Sequence, residues 1–162
     1  MYRILGVDPG SSCTGYGVIT GEGDEFRYID SGYILLPKTA SRYEKLRTIF
    51  ERIRQVIDKH SPTQFAIEDV FYHKNARSSL VLGEARGAAI LAAALADVPV
   101  YEYSAREIKQ SVTGHGGADK SQVNFMLGKI LGLEHPPENT DESDALAVAV
   151  CHAFKSREWT VT

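Results

Sequence analysis

Residues 4–8 read Ile-Leu-Gly-Val-Asp, an apolar run with no alternation, closed by an acidic residue and then by Pro9-Gly10. A short apolar run without a polar face, stopped by a Pro-Gly pair, is the pattern of a strand covered on both faces. A sheet built around such a strand needs a layer on each side. The same run sets a problem at Asp8. A charge at the end of a strand buried on both faces has to be paired, protonated or bound to a metal, because a bare charge in a low-dielectric site is costly.

Around that strand, taken as Tyr2 to Val7, the pattern of the chain is consistent. Strand-like runs at Thr14 to Thr20 and Phe26 to Leu35 flank Gly21-Glu22-Gly23-Asp24, a hairpin turn, so the chain opens as an antiparallel meander. Tyr43, Leu46, Phe50, Ile53, Val56 and Ile57 keep three-four spacing and predict an amphipathic helix over Tyr43 to Ile57. A strand follows at Phe65 to Val70, then a Gly- and Ala-crowded helix over Ser79 to Ala96, suited to a core position or to a subunit interface. Val98 to Tyr103 reads as a strand, Ala105 to Val112 as a helix, Gly114 to Gly117 as a loop and Ala118 to about Leu131 as a helix. His135-Pro136-Pro137 breaks the chain before a last helix that opens near Thr140. A three-strand meander followed by two αβ units predicts an α/β fold with a five-stranded mixed sheet flanked by helices. At 162 residues, 43% of them hydrophobic, a single domain with a sizeable core is expected.

Several function classes recede on composition. A net charge of −3 supplies no global cationic field, so a nucleic-acid partner would be held by a local basic patch or through bound cations. Cys13 and Cys151 form neither a disulfide framework nor a Cys-x-x-Cys pair and read as small packed residues. No signal peptide and no apolar run long enough for a bilayer are visible, so a cytoplasmic protein without a membrane partner is expected. Gly114-His115-Gly116-Gly117 lacks the Gly-Lys-Ser/Thr ending of a phosphate-binding P-loop, and His115 has no partner at metal-ligand spacing.

Acids stand against apolar structure in three places: Asp8, Glu68 within Phe-Ala-Ile-Glu-Asp-Val, and Asp141 with Asp144 at the start of the last helix. Asp141 and Asp144, at i and i+3, either point at one site together or cap the helix and answer its dipole. Glu68 interrupts a buried strand, although by pattern alone the adjacent Asp69, on the other face, could be the functional one. Four carboxylates converge only if something neutralises them. All-oxygen ligands suit Mg²⁺, with Mn²⁺ as a substitute, rather than zinc. Two such ions roughly 3.5 to 4 Å apart would activate a water and stabilise the leaving oxygen in phosphodiester hydrolysis. Gly15 and Gly17 either clear space for a phosphate or mark a bulge.

Four ordered blocks, LGVDPGSSCTGYGVI, FAIEDVFYHKNARSSLVLGEARGAAI, SAREIKQSVTGHGGADKSQV and DESDALAVAV, closely resemble the RuvC family of bacterial Holliday junction resolvases. The resemblance runs from about residue 2 to about 155. It implies a ribonuclease H-like fold, a homodimer, and Mg²⁺-dependent cutting of two strands of four-way junction DNA. A partnership with the RuvA–RuvB branch-migration complex is implied as well. Asp8, Glu68, Asp141 and Asp144 fall on the family's four catalytic, metal-binding positions, whereas Asp69 does not. Lys109 and Lys120 match lysines near the family's active site, which implies catalytic, DNA-binding residues that grip the scissile phosphate or stabilise its transition state, against the plainer reading of a solvated helix face.

Phe71 and Tyr72 read, on pattern, as a local hydrophobic anchor or as a stacking wedge for an unpaired base. The resemblance instead gives Phe71 the family's residue that inserts at the junction crossover. Lys74, Arg77, Arg86 and Arg106 are candidates for DNA backbone contact. In the helix over Ser79 to Ala96, the expected two-fold interface uses Gly83, Gly87, Ala88, Ala92 and Ala93 for close approach, with Leu80, Leu91 and Leu95 adding apolar contact. An actin-like ATPase would need a second half that this length does not hold. A non-catalytic junction binder would have no use for four acids. A related nuclease of RNA or RNA:DNA hybrids is the nearer rival.

Overall fold

The chain follows the order β1 (Tyr2–Asp8), β2 (Cys13–Glu22), β3 (Glu25–Leu35), α1 (Arg42–His60), β4 (Gln64–Glu68), α2 (Ala76–Ala94), β5 (Val100–Tyr103), α3 (Ala105–Thr113), α4 (Lys120–Leu131) and α5 (Thr140–Glu158). It is a computed structural model that describes residues 1–23, 25–69 and 75–158. Phe71, Tyr72 and Lys74 lie outside the described residues.

The strands form one sheet in the order β3-β2-β1-β4-β5, with β1 antiparallel to β2, β2 antiparallel to β3, and β1-β4 and β4-β5 parallel. This is the mixed five-stranded sheet expected. β1 is its central strand, and Ile4, Leu5 and Val7 are fully buried. The pleat sends Leu5, Val7, Phe65 and Ile67 into one apolar cluster with Ile49, Ile53, Ala85 and Ala89 of α1 and α2. Ile4, Ile19 and Ala66 go to the other, with Leu127 of α4 and Leu146, Ala149 and Val150 of α5. Asp8 and Glu68, each the last residue of its strand, follow Ile4 and Ala66 by even steps and so lie on the α5 side.

Element ends differ from the sequence pattern where a side chain supplies the missing hydrogen bond. Ser41 and Glu44 form a capping box that starts α1 at Arg42. Asn75 accepts the Arg77 N–H and starts α2 at Ala76, a turn before Ser79, and Asp119 caps α4 at Lys120. β5 opens at Val100, beyond Pro99, which has no N–H to donate to the ladder.

Glycines in β1 and β2 set the depth at which α5 packs. Gly6 pairs with Gly17 and Asp8 with Gly15 across the β1-β2 ladder. A β-carbon on Gly15 would lie 1.9 Å from the Asp141 carbonyl oxygen, one on Gly6 2.3 Å from that of Ala145, and one on Gly17 2.7 Å from a Leu146 methyl. Gly15 and Gly17 therefore make room for a helix rather than for a phosphate. Nor are they a bulge, since the register shift between β2 and β3 falls at Val18 and Ile19, where Ile29 of β3 is the extra residue. Gly15→Ala is expected to destabilise by about 1–3 kcal/mol, the usual cost of overpacking, and to push the first turn of α5 away from Asp8. Thermal melting and strand-cutting rates read the two effects, and a variant with wild-type values for both would contradict this role.

Candidate active site

Asp8 and Glu68 end two adjacent parallel strands. The ladder that pairs Val7 with Ile67 continues to bring these two acids side by side. From above the sheet, α5 delivers Asp141 and Asp144 in its first turn and a half. Neither acid has to cap that helix. Asn139 does so, its Oδ1 accepting the Asp141 N–H at 2.8 Å and its carbonyl the Ser143 N–H. An Asn one residue before a helical pattern is a start signal that the sequence reading overlooked.

The electrostatics show four carboxyls sharing one place. Burial, then the charges of Glu68 and Asp144, a hydrogen bond with Glu68 and the charge of Asp141 push the Asp8 carboxyl up to about 8. Burial raises Glu68 too, while its hydrogen bond with Asp8 lowers it, so the two carboxyls share a proton. Lys120 donates from Nζ to Asp144 Oδ2 at 3.2 Å, and Asp144 raises its pKa in return. Lys109, at the middle of α3, is close enough to lower Glu68. One shared proton and two ammonium groups thus offset the crowding that like charges impose. Among the described residues no three carboxylates, thiols or imidazoles are already gathered tightly enough to share one ion. The donor set still fits a hard divalent cation: it is carboxylate oxygen throughout, partly buried, and short of neutralising charge.

The other sequence candidates separate. Arg77 is exposed in the first turn of α2, and Arg106 is exposed on α3 with its Cγ lying over Gly116. Arg86, expected to face DNA, points inward instead: its Nε donates to the Glu68 carbonyl at 3.2 Å. Its Nη2 lies 2.5 Å from Glu102 Oε2 and 3.6 Å from Asp69 Oδ1. Asp69 is on the α2 side of the sheet beside this guanidinium, away from the four acids. The expected interface helix also divides. Ala92 and Ala93 are fully buried against the core of the same chain and Ala88 packs partly against it. Leu80, Leu91 and Leu95 are exposed, and no atom lies within 4 Å of where a β-carbon would stand on Gly83 or Gly87. At 3.6 residues per turn these two sets lie on different faces, and with small and apolar residues on both the sequence does not mark which is buried.

His115 is exposed and accepts the Gly117 N–H on Nδ1. Burial, then a hydrogen bond and repulsion from Asp141, hold the Cys13 thiol up to about 12. Burial holds that of Cys151 up to about 11. Neither is an activated nucleophile. That Cys13 touches the acid cluster was not legible from its spacing.

With this geometry in place, comparison with known proteins decides the family. The model of the crossover junction endodeoxyribonuclease RuvC family matches residues 4–152. The chain belongs to the RuvC family. Similar curated members are the crossover junction endodeoxyribonucleases RuvC of Pseudoalteromonas translucida, 53% identical over 157 residues (97% of this chain, 89% of that protein), and of Idiomarina loihiensis, 52% identical over 161 residues (97% and 90%). Among solved structures, Thermus thermophilus RuvC in complex with a Holliday junction substrate superposes with a TM-score of 0.94 at 33% identity, covering 99% of this chain and 98% of that one. The yeast mitochondrial Holliday junction resolvase, at TM-score 0.69 and 11% identity over 99% of this chain and 82% of that one, shares the fold. The fold is ribonuclease H-like, and RuvC-family nucleases are metal-dependent. No helix of the described residues is long and apolar enough to cross a membrane.

Proposed function

We propose that this chain resolves four-way DNA junctions by metal-dependent phosphodiester hydrolysis, with Asp8, Glu68, Asp141 and Asp144 as the ligands of two Mg²⁺ ions, Mn²⁺ substituting. The observation that carries the reading is the meeting of these acids from three elements at one end of the sheet in a RuvC-family chain. A divalent cation held there would activate water and stabilise the leaving oxygen. The chain's own groups prepare that site. The strand ends hold Asp8 and Glu68 rigidly, Asn139 frees Asp141 from capping, and Lys120 holds Asp144 while its largely exposed ammonium remains within reach of a phosphate. Lys109 compensates Glu68.

Phe71 is assigned to the junction crossover and Lys74, Arg77 and Arg106 to the DNA backbone, on the strength of the family pattern. The whole chain, 1–162, is read as one nuclease domain, supported by two apolar clusters that share a single sheet. Work on DNA in a bacterial cytoplasm beside a RuvA–RuvB branch-migration complex rests on family membership. The homodimer rests on chemistry: one site cuts one strand, and resolution needs two cuts placed symmetrically, which a two-fold axis provides. The exposed stripe of Leu80, Gly83, Gly87, Leu91 and Leu95 is the surface proposed for it.

A synthetic four-way junction and an RNA:DNA hybrid offered to the full-length protein with Mg²⁺ test the activity. Paired, symmetric nicks on the junction with the hybrid intact are expected, and preferential cutting of the hybrid would reverse the reading. In the same assay Leu91→Glu, placed on an exposed position, is expected to keep its melting temperature, to sediment as a monomer and to lose paired cutting. A wild-type protein that is monomeric both free and on the junction would remove the two-site scheme.

A further inference from the structure

Arg86 is the most enclosed cationic side chain near the acid cluster, only 17% exposed, yet it makes no contact with any of the four carboxylates. Its surroundings explain where its charge is used. β4 ends at Glu68, and the next residue, Asp69, still donates its N–H to the Tyr103 carbonyl of β5 at 2.8 Å. The Glu68 carbonyl, at the strand's last position, is taken by Arg86 Nε from α2. Glu102 stands in register with Ile67 and so projects, like Asp69, to the α2 side, where both flank the guanidinium. The peptide that carries the Glu68 carboxylate is therefore held from one side by the ladder and from the other by an arginine anchored between two acids.

We infer that Arg86 is a positioning residue: it fixes the Glu68 peptide, and through it the Glu68 carboxylate, so that α2 and the ends of β4 and β5 hold the metal-binding edge as one rigid unit. A guanidinium suits this because it donates to a carbonyl through Nε while its delocalised charge, at Nη2, stands beside the Glu102 and Asp69 carboxylates, which a lysine does not reproduce. The clamp also separates the acids by charge. Asp69 and Glu102 face Arg86 on one side of the sheet, and Glu68 is left to Asp8, Asp144 and a cation on the other. α2 carries both this clamp and the proposed dimer stripe, so the same helix faces the partner and the active site. The inference rests on the proposed role of Glu68.

The test uses full-length wild type, Arg86→Gln, Arg86→Lys and Glu68→Gln. Four quantities are read: melting temperature, junction affinity in the presence of a chelator, single-turnover cutting rate at saturating protein, and Mn²⁺ affinity of the free protein by paramagnetic titration. Arg86→Gln is expected to bind the junction within about twofold of wild type. Its cutting rate and Mn²⁺ affinity are each expected to fall about 10- to 100-fold, the range for groups that orient metal ligands. Arg86→Lys is expected to fall between the two.

Loss confined to junction affinity, with a shallower salt dependence and a normal rate at saturation, would make Arg86 a phosphate contact and overturn the inference. Should Arg86→Gln not fold, a folded Arg86→Lys with wild-type rate and Mn²⁺ affinity would overturn it equally. Glu68→Gln separates the two levels of the argument. If it still cuts, the reading of the four acids has failed, whereas if it is dead and both Arg86 variants behave as wild type, only the clamp has failed.

Discussion

Asp8→Asn, Glu68→Gln, Asp141→Asn and Asp144→Asn are each expected to abolish junction cutting, by about 10³-fold or more, while leaving junction binding in a chelator near the wild-type value. The size follows from the chemistry. Charge stabilisation by bound metal contributes several kcal/mol to a transition state, and about 1.4 kcal/mol changes a rate tenfold. The amides keep the shape of the side chains and remove their charge, so the fold survives. Binding is expected to survive because Arg77 on α2 and Arg106 on α3, assigned to the DNA backbone, lie on elements the substitutions leave intact. The four variants are not equivalent in detail. Asp144→Asn releases the Lys120 ammonium, and Glu68→Gln replaces a proton-sharing pair with an amide-carboxylate hydrogen bond. Burst analysis with the two strands labelled separately gives the rates, and retained cutting by any two of the four would dissolve the proposed site.

The fold was legible because its signals are local. The uninterrupted apolar run ending at Asp8, the hairpin after Gly21 and the three-four spacing of α1 each fix an element without knowledge of the rest. The pairing of acids was legible in part. An interrupting Glu68 and an i, i+3 pair of aspartates mark candidates, but choosing Glu68 over Asp69 needs the face on which each projects, and that is set by the register with β1. What stayed hidden depends on partners distant in sequence. The purpose of Gly15 and Gly17 is to admit α5, more than 120 residues away. Arg86 reads as a surface cation until the Glu68 carbonyl, Asp69 and Glu102 are seen around it. Likewise, the small residues of α2 divide into a buried set and an exposed set only once α1 is packed against one of them.

At pH 8 and without divalent metal, Asp8→Asn is expected to be more stable than wild type, with a melting temperature higher by at least several degrees. The inactive variant would thus outlast the active one, a trade of stability for function. The sign follows from proton counts. The folded Asp8 holds its proton up to about 8 against an ordinary 3.8, so the stability tied to that proton is full below about 4 and is lost as pH rises through 8. His152 opposes it. Fully buried between Tyr101 and Tyr103, with Nδ1 2.7 Å from the Tyr103 hydroxyl, its imidazole is lowered by burial from 6.5 to about 4. Its contribution is full above 6.5 and is lost as pH falls toward 4. Between pH 4 and 6.5 the Asp8 and His152 slopes oppose each other; from 6.5 to 8 the His152 contribution is complete and the raised carboxyls, Asp8 above all, make the wild-type melting temperature fall. Asp8→Asn removes the Asp8 slope, so its melting temperature follows His152 between pH 4 and 6.5 and falls less than that of wild type beyond 6.5. Added Mg²⁺ raises the wild-type value at pH 8 by binding the folded state and moves the variant less. Melting curves of both proteins at half-unit pH steps, with chelator and with Mg²⁺, decide the matter. A wild-type melting temperature that climbs between pH 6.5 and 8 in chelator, or an Asp8→Asn protein less stable than wild type at pH 8, would show that Asp8 is not held protonated by its neighbours.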